Sequence, residues 1–307
     1  MAKIQIGLNL PQFMGWDDLI ERTAAAERHG FHSVWTCDHM WPPADRGGDQ
    51  LEVLTTMAAI AARTERLRIG TLVICNSFRN PALLAKALTS VDNISHGRLE
   101  IGIGAGWMKR EYQAYGYEFP ATGVRLKQFE EGVQIIKLLM TQPRASFKGR
   151  YYTIEDAPNN PKPTQKPHPP ITIGGGGEKV MLRLVAKYAD RWNFTVNESP
   201  VLEQKLAVLK GHCAAVGRDF NSIELSEQIL VCLGRNRAEA DKLWDSPHHP
   251  MLTGMKPAAI NGDPVMVAEQ LLDRARRGVR LAMLLFIDMD KPESIELFGR
   301  EVMPRLQ

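Results

Sequence analysis

Apolar positions along the chain alternate between two rhythms. Ile4 to Leu10 is a short apolar run ended by Pro11, which reads as a buried strand. From Trp16 to His29 the rhythm changes. Trp16, Leu19, Ile20, Thr23 and Ala24 recur at helical spacing, and Gly30 stands where a helix C-cap belongs. Ser33 to Thr36 is again a strand, running into Cys37-Asp38-His39, and a Pro/Gly-rich loop from Met40 to Asp49 leads to a helix over Leu51 to Arg63. Leu67 to Ile74 predicts a third strand, and Leu83, Leu84, Ala87, Leu88, Val91 and Ile94 mark one face of the next helix.

The alternation continues with a strand over Leu99 to Ile103 and a long helix marked by Leu126, Phe129, Val133, Ile136 and Met140. Phe147 to Ile154 and the Pro-rich stretch from Pro158 to Pro170 break it, so an insertion is expected around 143–170. Ile171 to Ile173, Trp192 to Thr195, Glu224 to Leu233 and Leu281 to Ile287 supply further strands. Helical spacing runs from Met181, Leu202, Ala238, Val265 and Ile295, and a second insertion is expected at 245–262. Strands that are apolar without alternating belong to a parallel sheet covered by helices. About eight such units in one chain favour a closed (β/α)8 TIM barrel, an α/β fold, over an open sheet, with residues 1–307 forming a single domain. In a barrel the chemistry sits at the C-terminal ends of the strands.

Composition narrows the class. Of 307 residues, 44% are hydrophobic and 24% charged, as in ordinary globular proteins. Thirty-eight Lys and Arg against 35 Asp and Glu leave +3, which argues against a nucleic-acid-coating surface. Cys37, Cys75, Cys213 and Cys232 form no CxxC pair and no disulfide framework, which fits a reducing, cytoplasmic setting. The N-terminal segment lacks a signal peptide's long apolar core, and no run reaches about 18 apolar residues, so neither export nor a membrane helix is expected.

Candidate chemistry follows the strands. Asp38-His39, with Trp41 beyond, ends the second strand. There His39 is either an acid, base or hydrogen-bond donor, or a solvated loop residue, and Asp38 either a ligand contact or a turn cap. Gly102-Ile103-Gly104-Ala105-Gly106-Trp107 lets backbone approach a flat ligand or pack closely; the dinucleotide fingerprint needs glycine where Trp107 stands. Gly174, Gly175, Gly176 and Gly177 join a strand to a helix, a setting for anion binding by free backbone N–H groups. Glu178-Lys179 follows instead of a Lys-Ser/Thr pair, which disfavours a nucleoside triphosphatase. His248-His249 lacks the spacing of a metal site and reads as a surface loop; no metal is expected. No GxSxG nucleophile elbow is present.

Taken in order, these landmarks resemble the luciferase-like monooxygenase superfamily of flavin and deazaflavin oxidoreductases, and within it the F420-dependent oxidoreductases. The carrying segments are Gly30-Phe31-His32-Ser33-Val34-Trp35, Asp38-His39, Ile69-Gly70-Thr71-Leu72-Val73, Arg79-Asn80-Pro81, Asp92-Asn93-Ile94-Ser95-His96-Gly97-Arg98, the Gly102 to Trp107 turn and Pro170 to Gly177. The resemblance covers nearly the whole chain. It implies a dimeric luciferase-like barrel with a flavin-like ring at the strand C-termini. It implies a non-proline cis peptide at Leu72-Val73 behind the ring, cofactor contact by Asp38 and Cys75, and a catalytic role for His39. It also implies that Ala105, Gly106, Trp107 and Arg110 border the ring side, and that the Gly174 to Gly177 run holds the phosphate arm.

The family's sugar-phosphate dehydrogenase carries Glu at the position of Trp107, Asn at Arg110 and Thr at Cys75, so its particular reaction is not carried over. The expected function is an oxidoreductase exchanging hydride between F420 and a small organic substrate. Trp41 and Trp107 point to an apolar or aromatic substrate. Lys109, Arg110 and Lys179 are the cations available to an anionic tail, which F420 has and FMN lacks. The same-fold alternative is an FMN-dependent monooxygenase, with a separate reductase as a possible partner. The alternative of another class is a non-catalytic flavin-binding barrel.

Overall fold

A computed structural model describes residues 4–43, 48–195, 198–245, 252, 258–288 and 292–306. Its first strands are β1 (Gln5–Asn9), β2 (Ser33–Thr36), β3 (Arg68–Thr71), the short β4 (Ile74–Cys75) and β5 (Leu99–Gly104). An antiparallel hairpin of β6 (Arg144–Lys148) and β7 (Thr153–Pro158) stands off the main sheet. Then come β8 (Ile171–Gly174), β9 (Arg191–Thr195), β10 (Glu224–Leu233), β11 (Ile260–Gly262) and β12 (Val279–Phe286).

Hydrogen bonding runs β10-β12-β1-β2-β3-β5-β8-β9, and β9 returns to β10. All of these pairings are parallel, so the sheet closes as the expected eight-stranded barrel. β11 adds alongside the end of β10.

Helices connect the strands: α1 (Trp16–Arg28), α2 (Val53–Arg63), α3 (Pro81–Ile94), α4 (Lys109–Ala114) and α5 (Thr122–Thr141) in the first half, then α6 (Met181–Tyr188), α7 (Leu202–Ala215), α8 (Arg237–Asp245), α9 (Pro264–Arg276) and α10 (Glu293–Leu297). Their starts are encoded locally. Asn80 accepts from the Ala82 N–H at 2.9 Å with Pro81 opening α3, and Asp263 accepts from Val265 and Met266 with Pro264 opening α9.

In the interior of the barrel Trp35 packs in a buried cluster with Leu281 and Met283. Trp35 is fully buried, and its indole N–H donates to Ser33 Oγ at 2.8 Å. Glycines on both neighbouring strands make the room. A Cβ on Gly70 would lie 2.4 Å from the Trp35 ring, and one on Gly7 would lie 2.8 Å from its Nε1. Below the indole, at the N-terminal end, buried Glu100 accepts from Arg68 and, at 2.8 Å, from Arg191 Nη1. Arg191 Nε also reaches Glu224 at 2.7 Å, so three strands and the start of a fourth are joined by charge.

Two departures from the sequence pattern matter. The run Leu67 to Ile74 reads as one strand, but the backbone breaks at Leu72-Val73, whose peptide bond is cis. The β-branched, apolar side chains continue through the break, so the pattern carries no trace of it. The polar segment Lys109–Ala114, which the hydrophobic pattern assigns to no element, is the helix α4. The segment around 143–170 leaves the barrel as the β6–β7 hairpin and a proline-rich return with cis bonds before Pro161 and Pro167. Most of 245–262, including His248 and His249, lies outside the described residues. Among the described residues no helix is long and apolar enough to cross a membrane.

The ionic cluster gives a stability test. Glu100→Gln leaves Arg191 buried with part of its charge uncompensated, and breaking a buried pair in this way costs about 3–5 kcal/mol. Urea unfolding should show that loss as a lower midpoint at unchanged slope. Arg237→Ala, which breaks the exposed pair with Asp241, should leave the midpoint nearly unmoved.

Candidate functional site

A cavity of about 650 Å³ opens at the C-terminal ends of the strands. Val73, between β3 and β4, lines its floor. The neighbouring strands end in glycine at that level. A Cβ on Gly104 would lie 2.7 Å from Val73 Cγ2, and one on Gly174 would lie 3.1 Å from Val73 Cγ1. The valine therefore occupies the space that two side chains would otherwise take, and presents a small apolar surface to the cavity.

Asp38 is buried beside this floor. Its Oδ2 accepts from the Cys75 N–H at 2.9 Å and from Arg79 Nη1 at 2.6 Å, and its Oδ1 accepts from Arg79 Nη2 at 3.0 Å. Arg79 Nη2 also reaches Glu52 Oε1 at 2.7 Å. Burial opposes the arginine's charge, but the bonds to Asp38 and Glu52 outweigh it and hold its pKa above the ordinary value. Asp38 thus lines the cavity while its carboxylate braces β4 and the entry to α3.

His39 is the next residue, on the cavity wall. Its Nδ1 lies 3.1 Å from Glu111 Oε2, and Glu111 Oε1 accepts from the Met40 N–H at 2.6 Å. An ionised carboxylate only accepts, so this contact places the ring proton on Nδ1 and leaves Nε2 as the nitrogen able to take up a proton. Glu111 is buried, and α4 carries it there. Trp107 packs edge-on against His39 with ring centroids 5.9 Å apart, and is 63% exposed at the cavity mouth.

Cys75 Sγ and the Tyr112 hydroxyl lie 2.9 Å apart behind Gly106. Gly106 has φ +75°, and a Cβ there would sit 1.9 Å from that hydroxyl, so only glycine fits. Burial pushes the Cys75 thiol up to about 11, and burial together with Cys75 raises the Tyr112 phenol.

The opposite wall is the glycine run. Gly175 has φ +113°, and its carbonyl accepts from the Trp192 indole at 3.0 Å. Gly176 faces away: its carbonyl accepts from Lys205 Nζ at 3.0 Å, while Gly174, Gly175 and Gly177 border the cavity. Turn residues 178–180 separate the run from α6, so the helix end is less direct than the sequence suggests.

The profile of the family described as luciferase-like monooxygenase matches residues 1–281. The chain belongs to the luciferase-like monooxygenase family. Its relatives include an F420-dependent glucose-6-phosphate dehydrogenase from Amycolatopsis mediterranei, 37% identical over 192 residues, 62% of this chain and 55% of that one. A second protein of that name, from Segniliparus rotundus, is 29% identical over 94% of both chains. A solved F420-dependent secondary alcohol dehydrogenase in complex with an F420-acetone adduct superposes with TM-score 0.86 over 99% of both chains at 21% identity, a likeness of fold.

On this luciferase-like barrel the cavity brings together Asp38, His39, Leu72, Val73, Cys75, Ala105, Gly106 and Trp107 with three of the four glycines. Trp41 and Arg110 are not on its wall. The Arg110 guanidinium stacks 5.7 Å from the Trp41 ring and donates to Pro43 O at 2.6 Å, and Trp41 packs on Tyr115. Glu111, Tyr112 and Arg125 line the cavity and were not singled out by sequence.

The raised thiol pKa has a direct readout. With its thiol raised to about 11, Cys75 should be on the order of 0.1% thiolate at pH 8, against about 20% for an unperturbed cysteine. Iodoacetamide labelling of the folded protein, followed by peptide mass spectrometry, should find Cys75 at least 100-fold slower than a free thiol. The rate should climb about tenfold per pH unit toward pH 10, because the thiolate appears only as pH approaches the raised value.

Proposed function

We propose that this chain is an F420-dependent oxidoreductase that exchanges hydride with a small hydroxyl- or carbonyl-bearing substrate at the mouth of the barrel. The observation that carries the reading is the meeting, on one cavity, of an apolar Val73 floor and a histidine oriented by a buried carboxylate. The names of the relatives support the choice of cofactor. A fit to a flat tricyclic ring is supported by the side-chain-free ends at Gly104 and Gly174 on either side of Val73.

A bound deazaflavin would supply the hydride donor or acceptor. Val73, Gly104 and Gly174 would support its ring, Ala105 and Gly106 would border one edge, and Gly175 and Gly177 would offer backbone to the phosphate arm. His39 takes the substrate hydroxyl proton at Nε2 in the oxidative direction and returns it in the reductive one. Glu111, accepting at Nδ1, selects the neutral tautomer whose Nε2 is the acceptor and stabilises the imidazolium when it forms. Trp107, apolar and exposed at the mouth, favours an apolar or aromatic substrate over a sugar phosphate.

Titration of the purified protein with F420, FMN and FAD is the first test, and F420 should bind tightest. Tighter FMN binding with substrate-dependent oxygen consumption would replace this reading by the monooxygenase. His39→Ala should lower turnover by about 10²–10⁴ at nearly unchanged melting temperature. Glu111→Gln should lower kcat with little change in KM, because it disturbs the tautomer of His39 rather than a substrate contact. Preserved kcat in both variants would remove the pair from the chemistry.

A further inference from the structure

Arg125, at the start of α5, lines the same cavity and is only 8% exposed. Three arginines are this deeply buried among the described residues. Arg22 and Arg191, each 5% exposed, pair with carboxylates: Arg22 with Asp18 at 3.5 Å, Arg191 with Glu100 at 2.8 Å. Arg125 has no carboxylate at ion-pair distance among the described residues. Its Nη1 donates to Pro120 O at 2.5 Å and its Nη2 to Thr122 Oγ1 at 3.4 Å, while its buried Nε has no partner among the described residues. The guanidinium lies over the Phe119 ring at 3.9 Å, which fixes its plane without neutralising it.

A buried charge without a counter-charge is costly, and proteins keep one where a ligand completes it. Lys179 lines the same cavity from the glycine side. The cavity's acids are engaged elsewhere: Glu178 at 2.9 Å by Lys205 and by Gln204, Asp38 by Arg79, and Glu111 by His39 and the Met40 N–H. The cations expected from sequence, Lys109 and Arg110, are not on the cavity wall.

We infer that Arg125 is the residue that binds an anionic oxygen, phosphate or carboxylate, on the arm of the cofactor. The inference rests on the F420 reading above and names the residue that gives that reading its charge selectivity. Guanidinium geometry suits two parallel N–H···O bonds to such a group, a match that lysine does not reproduce.

The test is equilibrium binding, read by ligand fluorescence, for the wild-type protein, Arg125→Met and Arg125→Lys. Three ligands are titrated: F420, FMN, and the tailless, phosphate-free 8-hydroxy-5-deazariboflavin. Arg125→Met should weaken F420 at least about tenfold, as expected for a lost charged hydrogen bond, and leave the phosphate-free ring unchanged. Arg125→Lys should fall between. Weakening of F420 and FMN alike assigns the contact to phosphate, and weakening of F420 alone assigns it to the tail carboxylates.

Equal weakening of all three ligands, or of none, overturns the inference. Should Arg125→Met fail to fold, the Lys variant and the wild-type salt dependence decide. Salt should weaken F420 and spare the phosphate-free ring, and equal salt response overturns it. Binding of the phosphate-free deazaflavin by the wild type with no effect of Arg125 sinks this inference alone. Failure of the wild type to bind either deazaflavin sinks the cofactor reading as well.

Discussion

The chemical face of this barrel hangs on one buried carboxylate. Asp38 accepts three hydrogen bonds, from the Cys75 amide and from both terminal nitrogens of Arg79. It therefore joins the end of β2 to β4 and to the entry of α3, and through Arg79 to Glu52, which also caps α2 by accepting from the Thr55 N–H at 2.7 Å. His39 follows Asp38 directly, and Val73 lies two residues before Cys75. The segments that carry the candidate proton carrier and the apolar floor are thus tied together by a carboxylate whose two oxygens are both engaged. An acid in that role costs desolvation, and the bidentate arginine is what makes it tolerable.

The barrel divides its polar groups by end. At the N-terminal end charges meet charges: Glu100, Arg68, Arg191 and Glu224 neutralise one another and close the bottom. At the C-terminal end Asp38 is saturated, but Arg125 Nε has no hydrogen-bond partner among the described residues. Saturation holds structure, and incompleteness marks where a ligand belongs.

Much of this was legible in the sequence. The alternation of periods gave the barrel, because burying a parallel strand on both faces leaves an apolar run that few other structures share. The glycine segments were legible because a missing side chain is written in the sequence itself. What escaped depends on contacts across the chain. Glu111 sits in Lys109-Arg110-Glu111, which reads as a solvated turn, and its burial requires His39, 72 residues earlier, to arrive beside it. Arg125 escaped for the same reason: a charge at a helix start looks solvated until the absence of a counter-charge is seen in space. Gly176 belongs to the glycine run but does not border the cavity, and its carbonyl serves Lys205 on α7. The break at Leu72-Val73 left no mark in the hydrophobic pattern and entered only through family resemblance.

The packing of Trp35 over Gly7 and Gly70 has a consequence for the history of such chains. Gly7 and Gly70 exist in their present form because the indole occupies the space a side chain would need. Enlarging either glycine first meets the ring, and shrinking the tryptophan first leaves a void in the middle of the sheet. Each first step costs on the order of 1–5 kcal/mol, a large share of the stability of a whole domain. Descent with single substitutions therefore cannot easily exchange this interior for another. The trio should outlast changes of substrate at the mouth, and so trace ancestry more faithfully than the residues that do the chemistry.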